Sequence, residues 1–366
     1  MKKRMMAMAA AVMSAALLAG CGGTSTPESG ASSAGAQATE TPETSAGGAT
    51  AESVAARVEA AEGALDKLGN IDDIRDAEVT IGCSWMNLTT EYAANLQKLL
   101  DAYVERDYPN VTLVHMDAAS DASNQCSQVE NLISQGVDAI LMDPFDRNGC
   151  APATEACAEA GIPMIELCQE TTATEERTSF VGSIHYESGD LLMEALAEKT
   201  GGAGKVVFLE GPIGQDSALD RTTAGKDVME KYPDMELVTE RVCDWDRAAA
   251  MTAVENIIQS GMEFDVIYAE SDTMALGAME AIKGTDLEGK VIVGGIDMIA
   301  DALDSIKKGE MYCTAFQNAP LQAEYGLEVA VRAALGEKVE KDYIIPFEIV
   351  TAENASEYEN VLDIIK

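Results

Sequence analysis

The sequence predicts an α/β fold made of two similar doubly wound, Rossmann-like lobes with parallel sheets. From Glu78 onward, short β-branched runs alternate with amphipathic helical stretches, the pattern of strand–helix–strand units with right-handed crossovers. The chain has 366 residues, which is long for one hydrophobic core and suits two. Hydrophobic residues make up 47% of the chain and aromatic residues only 5%, a balance that favours α/β packing over a β-sandwich.

The order of elements repeats between the two halves. In the first half, we predict strands at 79–81, 111–114 and 139–141, with helices at 91–106 and 123–135. In the second half, we predict strands at 205–209, 236–242, 265–269 and 291–293, with helices between them.

The two halves also share a short sequence echo. Residues 130–136 read ENLISQG and precede a strand-like run at 138–140, while residues 255–261 read ENIIQSG and precede one at 265–267. In each case an amphipathic helix ends at a glycine and a buried strand follows. The echo indicates two lobes of one design.

The N-terminus resembles the export signal of bacterial lipoproteins. Lys2, Lys3 and Arg4 precede an apolar run at 5–18, and the run ends in a lipobox-like LLAGC at 17–21. By this resemblance residues 1–20 are a signal peptide, and Cys21 is the lipidated first residue of an extracytoplasmic protein. The alternative is an uncleaved N-terminal anchor.

Residues 21–76 are predicted to be a flexible tether. Residues 22–50 consist almost entirely of Gly, Ser, Thr, Ala, Pro and Glu, which cannot bury enough apolar surface to fold. Residues 51–68 have helical spacing and predict a short helix before the domain. A lipid anchor and a tether together imply a domain that works near a membrane without entering it.

Composition and motifs favour binding over catalysis. The formal net charge of −38 argues against nucleic acid as a partner, because phosphate binding relies on clustered Lys and Arg. Neither His115 nor His185 has nucleophilic-triad partners at recognisable spacing, and no zinc, Walker or dinucleotide motif occurs. Beside Cys21 there are seven cysteines, an odd number that cannot pair completely. We therefore predict no enzyme activity, no cofactor and no metal.

The predicted strand ends carry polar groups. Open α/β sheets bind ligands beyond the carboxyl ends of their strands. Applied to this chain, that rule selects residues 84–87, Asp117, Asp143, Cys168-Gln169, residues 211–215, Asp244-Trp245, Ser271-Asp272, Asp297 and Gln317.

Five stretches resemble the ribose/galactose-type periplasmic sugar-binding proteins of ABC transporters. They are Asp244-Trp245-Asp246-Arg247, the run SALDRTT at 217–223, the run SDTMALGA at 271–278, the run VGGID at 293–297, and Phe316-Gln317. The resemblance extends from about Glu78 to the C-terminus. It implies a type I periplasmic binding protein fold, in which a three-strand hinge joins the lobes.

The resemblance also implies a ligand site with distinct roles. Trp245 covers the apolar face of a sugar ring, Arg221 donates to ring hydroxyls and Asp297 accepts from two hydroxyls. Gln317, at the hinge, can donate and accept. Further ligand-binding residues are expected at Asn87, Tyr92, Cys168, Gln169, Gln215 and Ser271.

Several of these residues depart from the family pattern. The family usually has Asn where Ser271 stands, and commonly a charged Asp-Arg or Asn-Lys pair where Cys168-Gln169 stand. Tyr92 is the only second aromatic candidate, and Gln215 takes a position that carries histidine in glucose/galactose binders. The departures concentrate in the N-terminal lobe, so we expect the choice of ligand to be made there.

By the same resemblance, the N-terminal lobe comprises residues 77–182 and 318–345, and the C-terminal lobe comprises residues 183–317 and 346–366. We expect a monomer that captures a monosaccharide-like molecule between its lobes and delivers it to an ABC transporter permease. A sensory receptor for a sugar or a furanosyl signal remains an alternative with the same fold. A hydrolase and the effector domain of a transcriptional repressor are less well supported, the latter because a lipobox stands where a helix-turn-helix is needed.

Overall fold

The computed structural model of the protein describes residues 49–361 and residue 363. Its helices are α1 (Ala51–Ala61), α2 (Glu91–Asp107), α3 (Ala122–Gln135), α4 (Ala151–Ala160), α5 (His185–Thr200), α6 (Asp216–Met229), α7 (Arg247–Ser260), α8 (Asp272–Ile282), α9 (Ala300–Lys308) and α10 (Ala319–Ala334). Its strands are β1 (Thr80–Trp85), β2 (Thr112–Asp117), β3 (Ala139–Met142), β4 (Met164–Cys168), β5 (Ser179–Gly182), β6 (Ala203–Glu210), β7 (Asp234–Val242), β8 (Val266–Ala269), β9 (Ile292–Asp297), β10 (Cys313–Phe316), β11 (Asp342–Ile344) and β12 (Glu348–Thr351). Short 3₁₀ turns occur at Leu65–Lys67, Ile71–Asp73 and Ala355–Tyr358.

The strands form two six-stranded sheets of the same design. The first sheet has the order β11-β5-β4-β3-β1-β2 and is parallel throughout. The second has the order β12-β10-β9-β8-β6-β7 and is parallel except for the β10–β12 pair. The predicted fold of two parallel-sheet α/β lobes is confirmed.

The sequence echo occupies equivalent places in the two sheets. Helix α3 ends at Gly136 and helix α7 at Gly261, both with left-handed φ values, 75° and 74°. Each glycine leads into the fourth strand of its sheet as ordered above, β3 in the first and β8 in the second. The echo therefore marks the same helix–turn–strand unit in each lobe.

The chain passes between the two sheets three times, at residues 183–184, 317–318 and 345–347. Helix α10 returns to the first lobe and packs its Ala323 and Leu327 into the same core as Leu96 and Leu99 of α2. Helix α5 packs Leu192 and Leu196 against strands of the second sheet. Each lobe thus has its own hydrophobic core.

Residues 49–61, here called the N-terminal strap, precede the first lobe and include α1. Thr50 begins the helix with a capping box to Ser53. None of its helical residues is fully buried, and Val54 and Arg57 are half-buried. The strap lies against β11 and α5, beside two of the passages between the lobes.

All seven cysteines of the described part of the chain are free, and six of them are buried. Burial raises the pKa of the buried thiols, as at Cys83 and Cys313, so these side chains act as small apolar residues. Within residues 49–361, no helix has both the length and the apolar character needed to cross a membrane. The predicted signal peptide and Cys21 lie outside the described residues.

Candidate functional site

A cleft between the lobes lies at the carboxyl ends of both sheets. Its void volume, including the open mouth, is about 470 Å³. It is lined by Met86, Thr90, Glu91, Tyr92, Ala93, Asp143, Cys168, Gln169, His185, Ser217, Arg221, Trp245, Ser271, Thr273, Asp297 and Gln317.

Trp245 presents a half-buried indole at one wall of this cleft. Strand β7 ends just before it, and Asp244 and Trp245 both take left-handed backbone conformations, with φ of 52° and 60°. Asp246 then caps α7. The ring lies so close to Gly211 that a Cβ there would approach the indole to 2.1 Å, so no larger residue fits without displacing the ring.

Arg221 holds the centre of the second-lobe side. Its Nη1 donates to the Glu270 carbonyl oxygen (2.6 Å) and its Nη2 donates to Gln317 Oε1 (2.8 Å). Its guanidinium carbon lies 5.7 Å from the centre of the Trp245 ring, within cation–π range. Arg221 Nε is buried and has no hydrogen-bond partner, so a donor is left free at the cleft.

Asp297 faces Arg221 from the end of β9. Its Oδ1 lies 3.8 Å from Arg221 Nη2. Burial raises the pKa of Asp297 to about 7, although Arg221 opposes that rise. The nearby Asp272 has a structural role, because its carboxylate accepts from Thr314 Oγ1 (2.8 Å) and from Ile299 N (3.0 Å). Asp297, by contrast, keeps acceptor capacity for a ligand.

His185 and Cys168 lie where the passage from β5 to α5 meets the cleft. His185 Nε2 lies 2.9 Å from the Cys168 carbonyl oxygen, which can only accept, so this nitrogen carries the proton. Burial, then the charge of Arg221, lowers the pKa of His185 to about 3. His185 is therefore neutral, and its Nδ1 faces Arg221 Nη2 at 3.4 Å.

On the first-lobe side of the cleft, sulfur atoms accept hydrogen bonds from side-chain amides. Gln317 Nε2 donates to Cys168 Sγ (3.1 Å), and Gln169 Nε2 donates to Met86 Sδ (3.1 Å). Thiol and thioether sulfurs are weak acceptors, so a ligand oxygen is the stronger partner for these donors. Burial raises the pKa of Asp143 to about 8, and its Oδ1 has no partner.

The lobes touch at the rim of the cleft. Arg147 of the first lobe pairs with Asp216 of the second (2.9 Å) and donates its backbone N–H to the Gly214 carbonyl oxygen (3.3 Å). Deeper in the cleft, Gln169 Oε1 accepts from Ser217 N (3.3 Å) and Oγ (3.1 Å). These contacts join the lobes around the cleft.

Eight of the ten residues that the sequence selected for ligand contact line this cleft: Tyr92, Cys168, Gln169, Arg221, Trp245, Ser271, Asp297 and Gln317. Asn87 and Gln215 do not. Asn87 caps its own turn, because its Oδ1 accepts from Thr89 N (2.8 Å) and its Nδ2 donates to Ser120 Oγ (2.9 Å). Gln215 lies behind the lining, where its Oε1 accepts from Trp245 Nε1 (2.5 Å).

Residues 81–338 match the family model described as "Periplasmic binding protein domain". The chain belongs to this family. It is 33% identical over 259 residues to the xylitol-binding protein of Mycolicibacterium smegmatis, a match that covers 70% of this chain and 72% of the relative. It is 31% identical over 274 residues to the ribose import binding protein of Bacillus subtilis, covering 75% of this chain and 88% of the relative.

A solved structure agrees with the family assignment. The ABC transporter solute-binding protein of Bacillus halodurans C-125, solved with bound myo-inositol, superposes with a TM-score of 0.74 at 36% identity. The match covers 78% of this chain and 98% of that one. The predicted family is confirmed, and the N-terminal strap lies before the residues that the family model matches.

Eight of the lining residues were not among the predicted contacts, and three of them, Met86, Asp143 and His185, take part in the polar contacts described above. Met86 and Asp143 lie just past strand ends, so the strand-end rule did find them, but nothing in the sequence distinguished them from residues with a purely structural role. His185 was missed because β5 was not predicted as a strand, and without it the rule cannot reach residues 183–185. Its burial against Arg221 is a tertiary contact that spacing along the chain does not reveal.

The arrangement favours holding a ligand over transforming one. His185, with its lowered pKa, is a poor base, and burial raises the pKa of the Cys168 thiol well above its usual range. Among residues 49–361, no cluster of three or more His, Cys, Asp or Glu side chains has the arrangement of a metal site. The named relatives are binding proteins.

Proposed function

We propose that this protein captures a monosaccharide or a similar polyol between its lobes and delivers it to an ABC importer. The observation that carries the proposal is the joint placement of Trp245, Arg221 and Asp297 around one cleft. A sugar or cyclitol ring has an apolar C–H face for the indole and hydroxyl edges that need donors and acceptors at fixed positions.

Unused hydrogen-bonding capacity in the cleft supports this ligand class. Arg221 Nε and Asp143 Oδ1 are buried without partners, and the amides of Gln169 and Gln317 each donate to a sulfur atom. Hydroxyl groups both donate and accept, so a polyol can satisfy all four. Each buried group left unpaired costs about 1–3 kcal/mol, which gives the site selectivity among stereoisomers.

The names of the relatives favour the same class. Xylitol, ribose and myo-inositol are all small molecules with several adjacent hydroxyl groups. They include an open chain, an aldose and a cyclitol, so they support the class without selecting one member.

The membrane part of the proposal rests on the N-terminal sequence. A lipid on Cys21 and the tether predicted to follow it keep the domain close to its permease. Cell fractionation of the wild-type and Cys21→Ser proteins tests this part. The wild type is expected with membranes and the variant in the soluble extracytoplasmic fraction, and equal partition of the two would refute the anchor.

The ligand part is tested by calorimetry of the purified protein with D-ribose, D-allose, xylitol, myo-inositol and D-glucose. At least one is expected to bind with a 1:1 stoichiometry, and Trp245→Ala is expected to weaken that binding. A panel without any binder, or binding that ignores Trp245, Arg221 and Asp297 alike, would overturn the proposal.

A further inference from the structure

Gln215 connects the aromatic wall of the cleft to the opposite lobe. Trp245 Nε1 is only a donor, so Gln215 must present Oε1 to it and turn Nε2 the other way. That Nε2 donates to Met86 Sδ (2.9 Å), the same sulfur that accepts from Gln169. Met86 and Gln169 belong to the first lobe, whereas Gln215 and Trp245 belong to the second.

The Gln215 side chain that links Trp245 to Met86 is tightly constrained. Gln215 is 1% exposed, and both ends of its amide are occupied. It begins α6, whose Ser217 also contacts Gln169, so its backbone is held at the lobe boundary. The indole is therefore oriented by a hydrogen bond whose other end reaches the first lobe.

We propose that Gln215 and Met86 are positioning residues that fix the plane of the Trp245 ring and make it depend on lobe closure. This proposal rests on the proposed function. Both residues act on the ligand by orienting Trp245, and Gln215 does not contact the ligand itself. When the lobes separate, the sulfur contact is lost, Gln215 is released and the indole loses its preferred orientation.

The test uses the two indole N–H signals of the ¹⁵N-labelled, ligand-free protein, one from Trp85 and one from Trp245. Gln215→Met removes both hydrogen bonds at similar side-chain volume. The Trp245 signal is expected to shift and its hydrogen exchange to accelerate about tenfold or more, while the Trp85 signal, from an indole bonded to His115, stays in place. Met86→Leu is expected to produce a smaller change of the same kind, and Asn87→Ala none.

An unchanged Trp245 signal in Gln215→Met would overturn the proposal. So would a change confined to Gln215→Met with none in Met86→Leu, because the link to the first lobe would then be absent. Neither measurement needs a ligand, so failure here is distinct from failure of the proposed function, which the calorimetric panel decides.

The N-terminal strap is bonded to both lobes. On the first-lobe side, Arg57 forms a two-pronged ion pair with Glu170 (2.6 and 2.9 Å) and donates to Asp342 of β11 (2.7 Å). Its guanidinium also lies over the ring of Phe180 at 5.0 Å. Arg177 donates to the same two carboxylates, so the charges around Arg57 are mutually compensated.

On the second-lobe side, the strap is held by a backbone bond and an apolar contact. Ala49 N donates to Asp220 Oδ1 of α6 (3.3 Å). Val54 packs with Ile184, Tyr186 and Ala224 around the first passage between the lobes. An isolated helix of this length is unstable in water, so α1 persists because both sides hold it.

We infer that the strap is a hinge clamp: it stays docked only while the lobes are closed, and so favours closure. Rotation of one lobe away from the other must break either the Arg57 bonds or the Val54 contacts, because α1 is too short and rigid to stretch between them. The strap also carries the chain from the proposed tether to the hinge, so closure and the end of the tether are mechanically linked.

Hydrogen exchange of the full-length, ligand-free protein tests the clamp. Arg57→Ala and Val54→Asp attack its two sides, and Arg75→Ala is the matched control, because Arg75 pairs with Asp72 and Asp107 and with no described residue of the second lobe. Both strap variants are expected to speed exchange about tenfold in α1, at residues 183–187 and 343–347, and at the rim loop 211–217. The control is expected to leave all four segments unchanged.

If exchange rises in α1 alone, with the passages and the rim unaffected, the clamp is overturned. The lobes would then close without any contribution from the strap. The same conclusion would follow if both variants left α1 and the passages at wild-type rates. Neither result bears on which ligand the cleft holds.

Discussion

The two sides of the cleft satisfy their polar groups in different ways. On the second-lobe side, Arg221 and Ser271 are fixed by a backbone carbonyl, a neighbouring amide and a helix cap. On the first-lobe side, Met86 and Cys168 offer only sulfur to the amides that reach them, and Asp143 Oδ1 has no partner. The first arrangement is built before a ligand arrives, and the second is completed by one.

The two sides therefore contribute differently to ligand affinity and to selectivity among ligands. A preorganised group contributes to the binding of any ring that presents hydroxyls to it. A weakly satisfied donor or bare acceptor rewards only the ligand that places a matching atom there. We therefore expect mutations on the second-lobe side to weaken all ligands, and mutations on the first-lobe side to change their ranking.

Arg221→Met is expected to have the largest effect. It keeps most of the side-chain length but removes every charge-assisted donor, and we expect an affinity loss of about 100-fold, or about 2.7 kcal/mol, for each ligand that binds. Calorimetry across the panel measures it. A loss limited to one ligand would show that Arg221 determines selectivity among ligands and does not contribute to the binding of all of them.

Trp245→Ala is expected to rank second, with a loss of about 10-fold or more in affinity from the missing ring contact. Trp245→Phe should recover part of that loss, because a ring remains but the bond to Gln215 does not. If phenylalanine binds no better than alanine, a ring alone does not account for the effect of Trp245, and its bond to Gln215 does.

Asp143→Asn should alter pH dependence and ligand ranking more than overall affinity. The pKa of Asp143 is raised to about 8 in the folded protein, above its unfolded value. On raising the pH from about 4 to about 8, the unfolded chain loses this proton while the folded protein keeps it, so stability falls by up to about 1.4 kcal/mol per pH unit from this group.

Asp143→Asn removes the titrating group, so the stability of this variant should fall less steeply as the pH rises. Thermal unfolding of the ligand-free wild-type and Asp143→Asn proteins between pH 5 and pH 8 checks the slope, with Asp117→Asn as a strand-end control. Equal slopes for the wild type and Asp143→Asn would show that the pKa of Asp143 is not raised in the folded protein.

Asn87→Ala is expected to have the smallest effect. The side chain caps its own turn and contacts Ser120, outside the cleft lining. We expect ligand affinities to change less than about twofold, with at most about 1 kcal/mol lost in stability. A tenfold loss for one ligand would return Asn87 to the first-lobe side of the site.

The second-lobe side was the more predictable half because its residues belong to contiguous motifs. Trp245, Arg221, Ser271 and Asp297 each stand within a run whose strand end or helix start positions them directly. Across the cleft, Met86 and Asp143 acquire their importance from contacts made between distant segments. No local pattern encodes a thioether shared by two amides, so the sequence could name the place but not the role.

The fold itself was predictable for a related reason. Strand–helix alternation and glycine caps such as Gly136 are local signals, and they determine a parallel sheet with few alternatives. The strap shows the limit of such signals. Its helical spacing is visible, but its docking depends on Arg57 meeting Glu170 and Asp342, which are far apart along the chain.

The return of α10 to the first lobe has a consequence for how the protein is made. Its Ala323 and Leu327 complete the core begun by α2, and β11 then adds the edge strand beside β5. Translation produces these pieces only after the strands β6 to β10 of the other lobe. Contacts so distant along the chain form slowly. The lobe that starts first therefore cannot complete its sheet and core until residue 344 has emerged, and its apolar surface is unfinished until then.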